Sequence, residues 1–93
     1  MSRYKFELMY YVYLLLCEKD GKFYTGSTHD LKRRIAEHEA GSVKSTVRRK
    51  PLKLIYYEAC LNETDARVRE RYLKSGAGKK YLRNRLKRYL ENL

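Results

Sequence analysis

The chain has 93 residues, is 43% hydrophobic and carries 22 Lys/Arg against 11 Asp/Glu, a formal net charge of +11. That length bounds it to one domain with a modest core, and no stretch reaches the ~18 consecutive apolar residues of a membrane helix. The two cysteines, Cys17 and Cys60, have no histidines near them, which excludes a zinc pattern and a disulfide framework and predicts buried, reduced thiols in a cytoplasmic protein.

Residues 1–9 show no clear period and read as an extension before a domain at 10–93. The apolar run 9–17 is followed by no small-residue cleavage site, so no signal peptide is expected. Residues 10–17 are apolar on both parities, the pattern of a central strand covered on both faces. Asp20-Gly21 predicts a tight two-residue turn, and 23–26 forms the return strand. This turn sets Cys17 opposite Tyr24. Tyr13 and Tyr24 then share a face of the sheet, about 13 Å apart along the strand.

Ser27 or Thr28 caps a helix with Asp30 in its first turn. Leu31, Ile35 and His38 make its inward stripe, Arg34 borders it, and Gly41 ends it. A polar, basic connection over 42–50 stops at Pro51, and 52–60 is a third strand. Asn62 opens a second helix with Glu63 and Asp65 in its first turn. Ala66, Arg69 or Glu70, and Leu73 lie on one side, and Gly76 is its stop. Gly78 separates it from a last helix with a stripe of Leu82, Leu86, Tyr89 or Leu90, and Leu93. The order β-β-α-β-α-α predicts an α+β domain: a small three-stranded antiparallel sheet flanked by helices.

Charge is unevenly placed. Residues 1–41 carry seven Lys/Arg against six Asp/Glu, 42–61 five against one, and 62–93 ten against four. A basic second half points to a polyanion partner, with a solvated helix surface as the bland rival.

Three kinds of group are needed to hydrolyse a phosphodiester: one to activate water, a cation to meet the phosphate charge and a carboxylate for a metal. The chain offers each at ordered spacing. Tyr11-Val12-Tyr13 and Tyr24-Thr25-Gly26 form two tyrosine triplets. Arg34 and His38 follow at one helical turn from each other, and Glu70 closes Ala66-Arg67-Val68-Arg69-Glu70. With Ser27, Thr28 and Leu31 in register between them, these residues resemble the GIY-YIG nuclease family over about nine-tenths of the chain. The likeness is to its short stand-alone bacterial members, themselves similar to the nuclease domain of an excision-repair enzyme. Tyr11 replaces the first glycine of the family name, and Thr25 the isoleucine of its second triplet. Asn84 stands one position short, counted from Glu70, of the family's last-helix asparagine.

The resemblance implies a divalent-metal-dependent DNA endonuclease, acting in repair or on branched or damaged DNA. It implies one ion, Mg²⁺ or Mn²⁺, held by Glu70; Mg²⁺ keeps several waters and needs few protein ligands. Tyr13 would activate water, either with its pKa shifted by nearby cations or by relaying its proton through a network. Tyr24 would orient the phosphate, and Arg34 would meet two of its oxygens. His38 would donate to phosphate or hold a tyrosine hydroxyl. Gly26 reads as a backbone device for close approach or as an ordinary turn glycine. Lys44, Arg48, Arg49 and Lys50 would contact the nucleic-acid backbone, giving affinity without sequence choice. No targeting domain is visible, so a partner protein could supply the site. The alternatives are a non-catalytic nucleic-acid-binding module on the same fold and an RNA-directed nuclease.

Overall fold

A strand that is apolar on both parities must be covered twice, and the fold is built around that demand. In the computed structural model, which describes residues 7–93, strand β1 (Tyr10–Cys17) is the middle of an antiparallel sheet ordered β2-β1-β3. Strands β2 (Phe23–Thr28) and β3 (Leu52–Cys60) are its edges. Helix α1 (Leu31–Glu39) lies between β2 and β3 in sequence; α2 (Glu63–Lys74), α3 (Gly76–Arg85) and the short α4 (Lys87–Glu91) follow β3. The α+β class and the strand and helix order match the expectation, with one helix more at the end. Most of the expected extension, residues 1–6, lies outside the described residues; Leu8 and Met9 are exposed.

The even-numbered side chains Val12 and Leu14 pack with Ala66 and Leu73 of α2 and Leu82 of α3. Complete burial of leucines such as Leu73 and Leu82 contributes about 1.5–3 kcal/mol each. The opposite face, with Tyr13 and Cys17, meets His38 of α1 and the 42–50 segment, where the Cys17 thiol donates to the Arg49 carbonyl at 2.7 Å. Cys60 is only half-buried, unlike the expectation for both thiols.

Neighbouring residues of α2 clip the helix to both edges of the sheet. Arg69 forms a bidentate pair with Glu58 of β3 (2.8 and 2.9 Å), and the Tyr56 hydroxyl donates to the same carboxylate. On the other side, Glu70 accepts from Ser27 of β2 at 2.8 Å.

Several local expectations need correction. Tyr24 pairs with Leu15, not Cys17, because residues 18–22 all belong to the connection. Parity is preserved, so Tyr13 and Tyr24 still share a face, but they are two positions apart instead of four. β2 runs on to Thr28, and Asp30 caps α1 by accepting from the Arg33 amide at 3.1 Å. Asp30 is therefore not in the first turn, and neither Ser27 nor Thr28 is the cap. Gly41, at φ +76°, does follow the end of α1. The stop of α2 is Ser75, which also caps α3; Gly76 begins α3 and Gly78 lies inside it. The last helix breaks at Leu86, leaving Leu93 exposed instead of in the core.

Gly78 is buried where α3 crosses the end of α2. A Cβ there would collide with the Tyr72 carbonyl and stand 2.5 Å from Leu73 Cα, both backbone atoms that cannot swing away. Overpacking of this kind costs about 1–3 kcal/mol, and each kilocalorie lowers the melting temperature of so small a domain by about 4–8 °C. Gly78→Ala should therefore melt several degrees below the wild type in a circular-dichroism thermal scan.

Candidate active site

Tyr13 sits on the middle strand directly opposite Gly26 of the edge strand. Its phenol lies across that glycine: a Cβ on Gly26 would be 2.5 Å from Tyr13 Cζ and 3.0 Å from Cε1. The missing side chain is what lets a residue of the middle strand extend its hydroxyl over β2. Gly26 thus serves close approach, one of its two expected uses, and no positive φ is involved.

The Tyr13 hydroxyl is 2.8 Å from His38 Nε2, and His38 Nδ1 is 2.7 Å from the Thr46 hydroxyl. All three residues are buried. The rings of Tyr13 and Tyr24 meet the His38 imidazole edge-on, with centroids 5.6 and 5.3 Å away. Ser45 donates to the Tyr24 hydroxyl at 3.1 Å. Burial, then the nearby Arg34 charge, lowers the His38 pKa, outweighing Glu37. The ring is therefore neutral near pH 7 and carries a single proton, so one of its nitrogens donates and the other accepts.

Burial raises the Tyr13 pKa and outweighs the Arg34 guanidinium, which lowers it; Tyr24 and Glu70 add to the rise. Of the two routes expected for Tyr13, the protein's own groups, Arg34 among them, do not supply a depressed pKa. Arg34 is half-exposed, 3.1 Å from Glu37 in a one-turn ion pair, and both Tyr13 and Glu37 favour its charged form. Its side chain forms a wall of two surface recesses. One, of about 360 Å³, also takes in Ser27 and Arg67; the other, of about 550 Å³, takes in Ser42, Lys44 and Ser45.

Glu70 completes the group from the other side of β2. One oxygen accepts from Ser27, and the other is 3.0 Å from the Lys74 ammonium. A carboxylate has about four acceptor positions, so these two contacts leave capacity for a cation. Among the described residues no three His, Cys, Asp or Glu side chains cluster as metal ligands. A lone carboxylate suits an ion that retains its water, as Mg²⁺ does, and not a closed zinc site.

The structure thus brings Tyr13, Tyr24, Gly26, Arg34, His38 and Glu70 to one edge of the sheet. Lys44, Arg48 and Lys50 lie on the neighbouring segment, all three exposed to solvent. Arg49 folds back instead, its guanidinium 3.4 Å from the Phe23 carbonyl. Asn84 is exposed and lines a recess between α3 and α4 with Arg85 and Lys87, which neither Tyr13 nor Tyr24 lines. Thr46, Ser45 and the contact of Ser27 with Glu70 are not marked by the sequence pattern. Val43 and Thr46, three apart in a basic stretch and both buried, carry the helical-turn spacing that reveals an inward face.

A model of the GIY-YIG catalytic domain matches residues 9–83. The chain belongs to the GIY-YIG family. Within it, a UPF0213 protein of Lacticaseibacillus paracasei is 46% identical over 66 residues, covering 70% of this chain and 73% of that one. Another, from Clostridium perfringens, is 46% identical over 67 residues, 71% of each chain. The solution NMR structure of a UPF0213 protein from Bacillus halodurans matches with a TM-score of 0.51 at 38% identity, covering 80% of this chain and 81% of that one. The chain therefore carries a nuclease-family domain, whose substrate class is nucleic acid and whose members typically use a divalent metal. Among the described residues, no helix is long and apolar enough to cross a membrane.

The buried GIY-YIG histidine has two measurable effects on stability. Thr46→Val strands His38 Nδ1 without a partner, which should cost about 1–3 kcal/mol in urea denaturation. Separately, the folded state holds His38 below its ordinary pKa of 6.5, so the unfolded chain binds the proton more readily. Stability is then full above about pH 6.5 and falls as pH drops toward the folded value. Urea midpoints measured from pH 7.5 to 5 should decline in the wild type and decline less in His38→Asn.

Proposed function

We propose that this protein is a divalent-metal-dependent endonuclease that hydrolyses phosphodiester bonds of DNA, in repair or in the processing of branched or damaged DNA. The observation that carries this reading is the meeting, at the β2 edge, of the Tyr13 hydroxyl, the Arg34 guanidinium and the Glu70 carboxylate, supplied by three different elements. Family membership supports the reaction class, and the basic second half supports a polyanionic substrate.

Tyr13 works as a relay. Its raised pKa makes a free-standing phenolate costly, so it takes a proton from water only as its own moves to His38 Nε2, 2.8 Å away. For that step the neutral ring must keep its proton on Nδ1, donated to Thr46. As His38 gains the second proton, both of its nitrogens donate, to Tyr13 and to Thr46, so neither is left unsatisfied. Arg34 exchanges its half-exposed pairing with Glu37, an interaction of about 0–1 kcal/mol, for a bidentate grip on the phosphate. Tyr24, held by Ser45, fixes the phosphate's orientation. Glu70 would hold Mg²⁺ or Mn²⁺, whose charge offsets that of the phosphate and the leaving oxygen. Lys44 borders the recess beside Arg34 and would meet the adjoining backbone.

Nicking of supercoiled plasmid in Mg²⁺ or Mn²⁺ tests the reading, with EDTA as the control. Glu70→Gln should abolish nicking while DNA binding and the circular-dichroism spectrum persist. Arg34→Ala should lose about 10²–10³ in rate, as for other lost charge-stabilising donors. Full activity in Glu70→Gln would remove the metal assignment. Wild-type protein that binds DNA in a salt-sensitive way yet never nicks it would leave a binding module.

A further inference from the structure

At the far end of β2 from Ser27, four cations surround Phe23. Lys22 comes from the connection after β1, Arg49 from the segment before β3, and Lys79 and Arg83 from one face of α3. They line a recess of about 580 Å³ in which Asp20 is the one acid, and its carboxylate already accepts from the Lys22 amide at 2.9 Å. None of the four cations is within ion-pair distance of a carboxylate among the described residues. Two of them are held in place. The Arg83 guanidinium lies over the Phe23 ring, 4.8 Å from its centroid, and Arg49 donates to the Phe23 carbonyl.

A merely solvated surface would let lysine and arginine spread apart to reduce their repulsion. Here elements from both faces of the sheet bring like charges to one recess and fix two of them on a single aromatic residue. That arrangement lowers the ordering cost of binding an anion. Its place relative to Tyr13 names the anion. Phe23 and Gly26 are three residues apart on β2, about 10 Å at strand rise. Phosphates along one strand of a duplex advance about 3.4 Å each along the axis while winding around it, so their straight-line spacing exceeds that rise and the separation spans at most about three of them.

We infer that the Phe23 recess is a second phosphate-binding site, gripping the backbone of the same nucleic-acid strand a few phosphates from the one at Tyr13. The inference rests on the nucleic-acid reading above but not on cleavage. Arg49 then contacts the backbone from this recess and not from the side of the segment that carries Lys44, Arg48 and Lys50.

The experiment is fluorescence anisotropy of a labelled DNA duplex in EDTA across a salt series. It compares wild type, Lys79→Gln/Arg83→Gln, Lys22→Gln and a control, Lys87→Gln/Arg88→Gln, on α4. Each lost phosphate contact reduces the salt slope by about 0.9. The α3 double variant should therefore lose about 1.8 in slope, and its affinity should fall on the order of tenfold less than wild type between about 50 and 200 mM salt. Lys22→Gln, on an exposed turn where misfolding is not at issue, should lose about 0.9, and the α4 control should keep the wild-type slope. Equal slopes throughout, or no DNA binding by the wild type, would overturn the inference. Plasmid nicking by the same proteins separates it from the nuclease reading. Nicking with unchanged slopes removes the recess alone; reduced slopes in a protein that never nicks uphold the recess and remove the nuclease.

Discussion

Tyr13 belongs to the middle strand of the sheet, and yet its hydroxyl must meet groups outside the β2 edge. Gly26 resolves the conflict by having nothing to put in the way. The rest of the site is arranged around that one passage. His38 receives the phenol from the α1 side, Ser27 on the same edge strand receives Glu70 from the α2 side, and Arg34 is near enough to oppose the rise in the Tyr13 pKa. A methyl group at position 26 would displace the phenol and with it the common reference point of all these contacts.

Placement of Glu70 depends on a second constraint. Arg69 and Glu70 are consecutive, so their side chains leave the helix about 100° apart, and each is bound to a different edge strand. The Arg69–Glu58 pair is bidentate and partly shielded from water, the geometry in which ion pairs are strongest. Burial and Glu58 together push the Tyr56 hydroxyl up to about 12, so it stays a donor to that carboxylate at any ordinary pH. A clamp made on β3 thereby fixes the rotation of α2 and points Glu70 at β2. Structural and candidate catalytic side chains are coupled through nothing more than adjacency in sequence.

Much of this is legible in the residues. The two-sided apolarity of 10–17 marks the middle strand, Asn62 with Glu63 and Asp65 marks the start of α2, and the spacing of Arg34 and His38 puts them on one face of α1. What escapes is either a matter of register or of long-range partnership. The hairpin connection takes in residues 18–22, and nothing in Asp20-Gly21 excludes a tighter turn, so the expected pairing of Tyr24 is two residues off. Gly76 and Gly78 read as breakers because glycine disfavours helices, whereas Gly78 is present for the close crossing of α3 over α2. Ser45 and Thr46 are ordinary polar residues in the sequence, and Ser27 reads there only as a helix cap and a motif position. They acquire meaning only from Glu70, Tyr24 and His38, distant in the chain, and local pattern cannot supply such pairings.

The segment between α1 and β3 has two sides with different duties. Val43 and Thr46 turn inward, while Lys44, Arg48 and Lys50 lie on the solvent side, and the backbone bonds Thr46 N–Val43 O and Arg49 N–Thr46 O set that alternation. Surface connections usually tolerate changes in length at little energetic cost. This one is phase-locked. Adding or deleting a single residue ahead of Thr46 would rotate the turn by about 100°, carry the hydroxyl away from His38 and swing a lysine or a bulky neighbour toward the sheet. Its length is therefore constrained as tightly as a core side chain is, and engineered insertions belong after Lys50 or not in this segment at all.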